Sequence, residues 1–171
     1  MKTNWPLKLV VVLTVFSCGL LVGSCILPIG GASPEPQVWP VVNIVDGDTL
    51  DILYQPPFPI EERLRLIQVD TPERGDLGYQ EAAEALETLV ANGEVSIEFE
   101  TLGEHERGAY GRLLVYLYSG GKCINVELVR LGWSANYTKY GEGRMNQAFE
   151  EAEQEAKESQ RGLWGLPSTG E

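Results

Sequence analysis

Residues 41–54 read VVNIVDGDTLDILY, and this stretch decides the architecture. Val41–Val45 is a β-prone run, Asp46-Gly47 is a tight-turn dipeptide, and Thr49–Tyr54 is a second β-prone run. The pattern predicts an antiparallel hairpin at the start of the folded part. Gln55-Pro56-Pro57-Phe58-Pro59 breaks the second strand. Glu62–Val69 reads as a third strand, with Arg63 and Arg65 on one face and Leu64 and Leu66 on the other. Asp70-Thr71-Pro72-Glu73 ends it.

Downstream, Tyr79, Ala82, Ala83, Leu86, Leu89 and Val90 recur with a helical period, which predicts a helix over Tyr79–Ala91. Glu94–Thr101 alternates Val95, Ile97 and Phe99 against polar residues, a strand with one wet face. Tyr110–Tyr118 is the next predicted strand, closed by Ser119-Gly120-Gly121. Asn125 is placed to cap a short helix, Val126–Leu131, which Gly132 stops. Arg144–Ser159 predicts a last helix with Phe149, Ala152 and Ala156 inward and glutamates 150, 151, 153, 155 and 158 on a solvated face. Gly162-Leu163-Trp164 is expected to fold back over the core. The order β-β-β-α-β-β-α-α with short strands implies an α+β, mainly β fold: a small closed barrel of the oligonucleotide-binding (OB) type. No internal repeat is visible.

Composition bounds the function. The 171 residues carry 13 Lys+Arg against 25 Asp+Glu, a formal charge of −12. That balance argues against a protein that holds nucleic acid on a broad basic surface, though not against a local cationic pocket. Three cysteines are too few for a disulfide scaffold. Cys123 reads as a small buried apolar residue, and the single histidine, His105, as a solvated loop residue.

The N-terminus has the form of an export signal. Lys2 and Lys8 precede an uncharged run from Leu9 to Leu27, and Val22-Gly23-Ser24-Cys25 resembles the lipobox of bacterial lipoproteins. The expected organisation is a signal over 1–24, a lipidated Cys25 with a Pro/Gly-rich tether to residue 37, a folded domain over 38–167 and a tail over 168–171. A retained membrane anchor and a plain cleaved signal are the alternatives, and all three put the domain outside the cytoplasm. Cleavage before Cys25 would remove Lys2 and Lys8 and take the formal charge from −12 to −14.

Three polar segments stand at strand ends: VDGDT at 45–49, RLIQVDTPE at 65–73 and YGR at 110–112. Separately they read as a turn, a helix start and nothing in particular. Together, Asp48 and Asp70 offer hard oxygen donors at one barrel mouth, with the Thr71 carbonyl as a third. An all-oxygen set without His or Cys selects Ca2+ or Mg2+ over zinc. Arg65 and Arg112 supply two guanidinium forks that match a phosphate, and Glu73 is a carboxylate to spare. Such a set suits phosphodiester hydrolysis.

The chain resembles the staphylococcal-type thermonuclease family over about Val41 to Trp164. The matching stretches are those three, extended to YGRLLVYLY at 110–118, with NVELVRLG at 125–132 and RGLW at 161–164. The resemblance implies a five-stranded OB-fold barrel with three helices. It implies Ca2+ ligation by Asp48, Asp70 and the Thr71 carbonyl, and catalytic roles for Arg65, Glu73 and Arg112. Asp46 would orient the turn from outside the ligand set, and Tyr110 would help hold a terminal phosphate of the substrate. The implied activity is Ca2+-dependent cleavage of DNA and RNA, single strands preferred, leaving 3′-phosphate and 5′-hydroxyl ends, by a monomer tethered to the membrane through its lipid. The departures lie in substrate grip: only Arg74-Gly75-Asp76-Leu77-Gly78 stands where the best-known member has a long lysine-rich loop, Ala109 replaces a phosphate-reaching lysine, and Gly108 an acidic residue. The competing readings are a non-catalytic binding or interaction module at the membrane and a Ca2+-stabilised structural lipoprotein, neither of which needs the whole set of carboxylates and arginines.

Overall fold

The structure is a computed structural model and describes residues 37–54, 58–101 and 104–167. The signal, Cys25, the tether to residue 36 and the tail over 168–171 lie outside the described residues. The strands are β1 (Trp39–Ile44), β2 (Thr49–Tyr54), β3 (Ile60–Leu66), β4 (Glu94–Glu98), β5 (Leu113–Ser119) and the two-residue β6 (Lys122–Cys123). The helices are α1 (Tyr79–Leu89), α2 (Ile124–Arg130) and α3 (Asn146–Glu158). The strands run β3-β2-β1-β4-β5-β6, and an added β3–β5 pairing joins the two ends. Five strands therefore close into a barrel, with β6 a short appendage on β5, and the three helices complete the OB-like fold.

Closure has a local cause. β1 and β2 pair antiparallel, with a register irregularity between Val41 and Asn43 that lets the strand bend. β3 pairs β2 along its whole length and meets β5 in parallel, Leu64 facing Leu113 and Arg65 facing Leu114. Leu50, Ile52, Leu64, Leu66, Val115 and Leu117 fill the interior. α1 covers one end through Ala82 and Leu86, and α3 packs Phe149, Ala152 and Ala156 inward, one helical stripe each. Among the described residues no helix is long and apolar enough to cross a membrane.

Several expectations are corrected. β5 begins at Leu113 rather than Tyr110, because Tyr110 (φ 63°) and Gly111 (φ 75°) are both left-handed, which no strand accommodates. β3 ends at Leu66, because Gln68 takes φ 57° and turns the chain. Asn125 is not a cap. It lies inside α2, 0 % exposed, where its amide donates to the Ile67 and Val115 carbonyls (both 3.0 Å) and accepts from the Leu117 N–H (2.8 Å). It stitches the end of β3 to β5. The α3 glutamates are more than a solvated face: Glu153 accepts the Asn136 N–H (3.2 Å), and Glu155 pairs with Arg130 (3.1 Å) and Arg161 (2.7 Å). Cys123 is a free, half-buried thiol whose pKa burial pushes up. His105 is exposed, stacked on Phe99 at 4.5 Å.

Candidate active site

The turn between β1 and β2 is built around two aspartates. The N–H groups of Val45 and Asp46 donate to the Thr49 carbonyl (3.0 and 3.3 Å), and Asp46 Oδ1 accepts the Asp48 N–H (3.1 Å). A Cβ at Gly47 would sit 2.7 Å from both Ala82 Cβ and Thr71 Oγ1, so the turn is pressed against α1 and the segment after β3. Asp48 is thereby buried. Its Oδ1 accepts the Thr49 hydroxyl (2.9 Å), and its Oδ2 accepts the Thr71 N–H (3.0 Å) and hydroxyl (3.2 Å). Burial lifts the Asp48 carboxyl to about 6; Arg65 and the Thr71 N–H oppose the shift, and Asp46 adds to it.

Arg65, near the end of β3, joins this turn to Asp70. Its Nη2 lies 3.1 Å from Asp48 Oδ2 and 3.0 Å from Asp70 Oδ1. Its Nη1 donates to the Leu66 carbonyl (3.1 Å) and the Val69 carbonyl (2.5 Å). Asp70 is held from behind, its N–H donating to the buried Ser134 Oγ at 2.9 Å. Two carboxylates converge on one guanidinium nitrogen, so their facing oxygens lie within about 6 Å of each other.

A cleft of about 630 Å³ opens here, and Asp46, Asp48, Arg65, Asp70, Glu73 and Arg112 all line it. The barrel register delivers Arg112 to the same mouth, because it immediately precedes the β3–β5 pairing. Its Nε donates to the Ala109 carbonyl at 3.3 Å, and it makes no ion pair with a carboxylate among the described residues. The Glu73 backbone is turned by Asp76, while its exposed carboxylate has no hydrogen-bond partner among the described residues. Thr71 serves Asp48 through its N–H and hydroxyl and does not line the cleft. Tyr110 stands 97 % exposed outside the lining, its ring 5.8 Å from Arg112 Cζ. Glu100, Glu106 and Glu142 also face the cleft, so seven carboxylates meet two guanidinium groups and the balance favours a cation. Among the described residues no three His, Cys, Asp or Glu side chains cluster closely enough to hold a metal alone.

The sequence reading missed the far wall, which the α2–α3 connection supplies through Tyr137, Tyr140, Gly141, Glu142 and Gly143. Its anchor is buried Gln68, whose amide donates to Asn136 (3.0 Å) and Asn146 (3.2 Å) and whose Oε1 accepts the Gly143 N–H (3.1 Å). The Tyr116 hydroxyl donates to Glu100, and Glu100 accepts the Arg144 N–H at 2.7 Å. Burial and Glu100 together push the Tyr116 hydroxyl well above its ordinary pKa. A Cβ at Gly143 would fall 2.3 Å from the Tyr116 hydroxyl and 2.4 Å from Gln68 Oε1, so only glycine lets the loop come this close. The visible signal was the run SANYTKYGEG at 134–143, aromatic yet without apolar periodicity.

The chain is 34% identical over 140 residues to a protein of Shigella flexneri named Micrococcal nuclease, covering 77% of this chain and 75% of that one. It is 25% identical over 141 residues to Thermonuclease of Staphylococcus hyicus (79% and 80% covered). It is 30% identical over 127 residues to Endonuclease YncB of Bacillus subtilis (70% and 58% covered). The family described as Staphylococcal nuclease homologue matches residues 63–165, more than half of the chain and the span that carries the end of β3, the strands β4 to β6 and all three helices. On that match, and on a closed barrel with its polar residues gathered at one mouth, the chain belongs to the staphylococcal nuclease family.

Proposed function

We propose that the chain is a Ca2+-dependent phosphodiester hydrolase acting on DNA and RNA, with the cleft at the barrel mouth as its active site. One observation carries the reading: Asp48 and Asp70 converge on a single point of positive charge, the Arg65 guanidinium, in a cleft that also holds Glu73 and Arg112. The donor set fits a hard cation, being all oxygen and supplied by two carboxylates that already face one cationic centre. Asp48, Asp70 and the Thr71 carbonyl would hold it. Such a set would leave further positions open to oxygen ligands. When bound, the ion supplies positive charge against a non-bridging oxygen of the scissile phosphate.

The chain's own residues do the rest. Glu73, unpartnered and at the cleft, accepts a proton from the attacking water. Arg65 and Arg112 direct N–H donors at the phosphate oxygens as phosphorus becomes five-coordinate. The bond from phosphorus to the 5′ oxygen breaks, that oxygen takes up a proton, and the water oxygen stays on the 3′-phosphate. Asp46 keeps Asp48 in place, and Tyr110 would meet a terminal phosphate of the substrate from outside the cleft. Tyr137 and the 87 % exposed Tyr140 offer faces on which unpaired bases can stack, which favours single strands. In this reading residues 1–24 are a lipoprotein signal, Cys25 is the lipidated residue, and the monomeric domain over 38–167 works outside the cytoplasm.

The test uses the purified full chain with single-stranded DNA and with RNA, in Ca2+ or in EGTA, and identifies the product ends. Cleavage in Ca2+ alone, with 3′-phosphate products, is expected. Asp48→Ala should lose the metal-dependent rate, and Arg112→Ala should lose roughly 10²-fold or more. Full activity in EGTA, or an unimpaired Asp48→Ala variant, refutes the proposal.

A further inference from the structure

The turn that presents Arg112 is strained and needs support. Tyr110 (φ 63°) and Gly111 (φ 75°) are successive left-handed residues, a conformation that is strained for a tyrosine. Inside the turn, the Gly108 N–H donates to the Arg112 carbonyl (2.9 Å) and the Gly111 N–H to the Gly108 carbonyl (3.2 Å). A further contact comes from the Arg107 side chain, whose Nη1 donates to the Gly111 carbonyl at 2.6 Å. The same guanidinium grips Glu62 on β3 through two bonds, Nη1 to Oε1 (2.6 Å) and Nη2 to Oε2 (3.1 Å). The strand that carries Arg65 is thus tied to the carbonyl of the residue just before Arg112.

The backbone of Arg112 is held inside the turn by the Gly108 N–H and by the Arg107–Leu113 bridge, whereas its side chain is held loosely. The β3–β5 register, which begins at Leu113, brings Arg112 to the mouth but pairs no atom of Arg112 itself. Its own side chain makes one long bond to the Ala109 carbonyl (3.3 Å) and sits 5.8 Å from an exposed ring. A two-bond guanidinium–carboxylate pair orients the guanidinium plane, so the third bond, to Gly111, has a defined direction. Neither Glu62 nor Arg107 lines the cleft.

We propose that Glu62 and Arg107 form a positioning clamp that fixes the Gly111 carbonyl, and through it sets where Arg112 stands relative to Arg65. The inference rests on reading Arg112 as a phosphate-gripping residue. Both clamp residues act through Arg112 and touch no substrate.

The test compares the full chain with Arg107→Gln, Glu62→Gln and the double variant, reading kcat and KM on a single-stranded oligonucleotide in Ca2+. It also follows the Arg112 Nε–H resonance by NMR without substrate. Each single variant should lower kcat about tenfold, as expected for a displaced catalytic group. KM should change far less, and the double variant should match the singles because one unit has been broken. The Arg112 resonance should move in all three. A kcat close to the parent value, losses that multiply in the double variant, or an unmoved resonance overturns the clamp. Arg112→Ala separates the two claims: if it cuts at the parent rate, the role of Arg112 fails, while the resonance still decides whether the clamp positions it.

Discussion

Salt is the sharpest probe of the proposed grip on a polyanion. Most cations on the described surface are already committed: Arg63 to Asp51, Arg107 to Glu62, Arg144 to Glu98, Arg130 and Arg161 to Glu155, and Lys157 to Glu153. Among the described residues only Arg65 and Arg112 bring positive charge to the cleft, amid seven carboxylates. On a single strand each neutralised phosphate contributes about −0.7 to the slope of log affinity against log salt, so two cations give at most about −1.4. Between about 50 and 200 mM salt that slope is a loss of about sevenfold, against roughly 10³–10⁵ for proteins with six to ten phosphate contacts. The acidic chain repels the substrate at long range, and added salt screens that repulsion, so sevenfold is an upper limit. The assay is kcat/KM on a short single-stranded oligonucleotide across that range of NaCl, with Ca2+ saturating. A slope steeper than about −3 refutes the reasoning, because it requires a basic track outside the cleft.

Three further outcomes follow from side chains already described. Gly143→Ala drives a Cβ into the Tyr116 hydroxyl and Gln68 and should displace the Tyr137–Tyr140 wall, costing about 1–3 kcal/mol and raising KM; thermal unfolding and steady-state kinetics read the two effects. Asn125→Ala strands the Leu117 N–H and the Ile67 carbonyl in the interior and should cost about 2–6 kcal/mol in a urea titration. The Asp51 carboxyl is held below its model-compound value of 3.8, chiefly by a hydrogen bond from Arg63, against the opposing effect of burial. Its stabilisation is therefore present above about pH 4 and lost as pH falls through the lowered native value, so Asp51→Asn should flatten the acid limb of Tm against pH below about pH 4. An acid limb unchanged in Asp51→Asn counts against that pairing.

The barrel was legible because its strands carry their own signals. Leu50 and Ile52 alternate with polar neighbours, Asp46-Gly47 marks the hairpin, and α1 and α3 each bury one clean stripe. What pattern could not reveal was conformation set by tertiary contact. YGRLLVYLY looks like an unbroken strand, yet Tyr110 and Gly111 turn left-handed because Arg107 and the hydrogen bonds around Gly108 bind the turn. Asn125 stands where a cap would, but three backbone partners from distant strands claim it inside the protein. Within the site, Asp48, Asp70, Arg65, Glu73 and Arg112 were readable as chemical types at strand ends, and the structure brings all five to one cleft. Ser134, Gln68 and Gly143 were not, since each matters only through a neighbour 64 or more residues away or one a Cβ would strike.

The parallel seam between β3 and β5 also dictates when the cleft comes into being. Leu64 and Leu113 are about fifty residues apart, and everything between them, α1 and β4 included, must be in hand before those strands can meet. A chain still emerging from the ribosome holds Asp48, Asp70 and Arg65 long before Arg112 has been synthesised. Four of the five site residues thus precede the strand that closes the barrel, and that strand brings the fifth beside them.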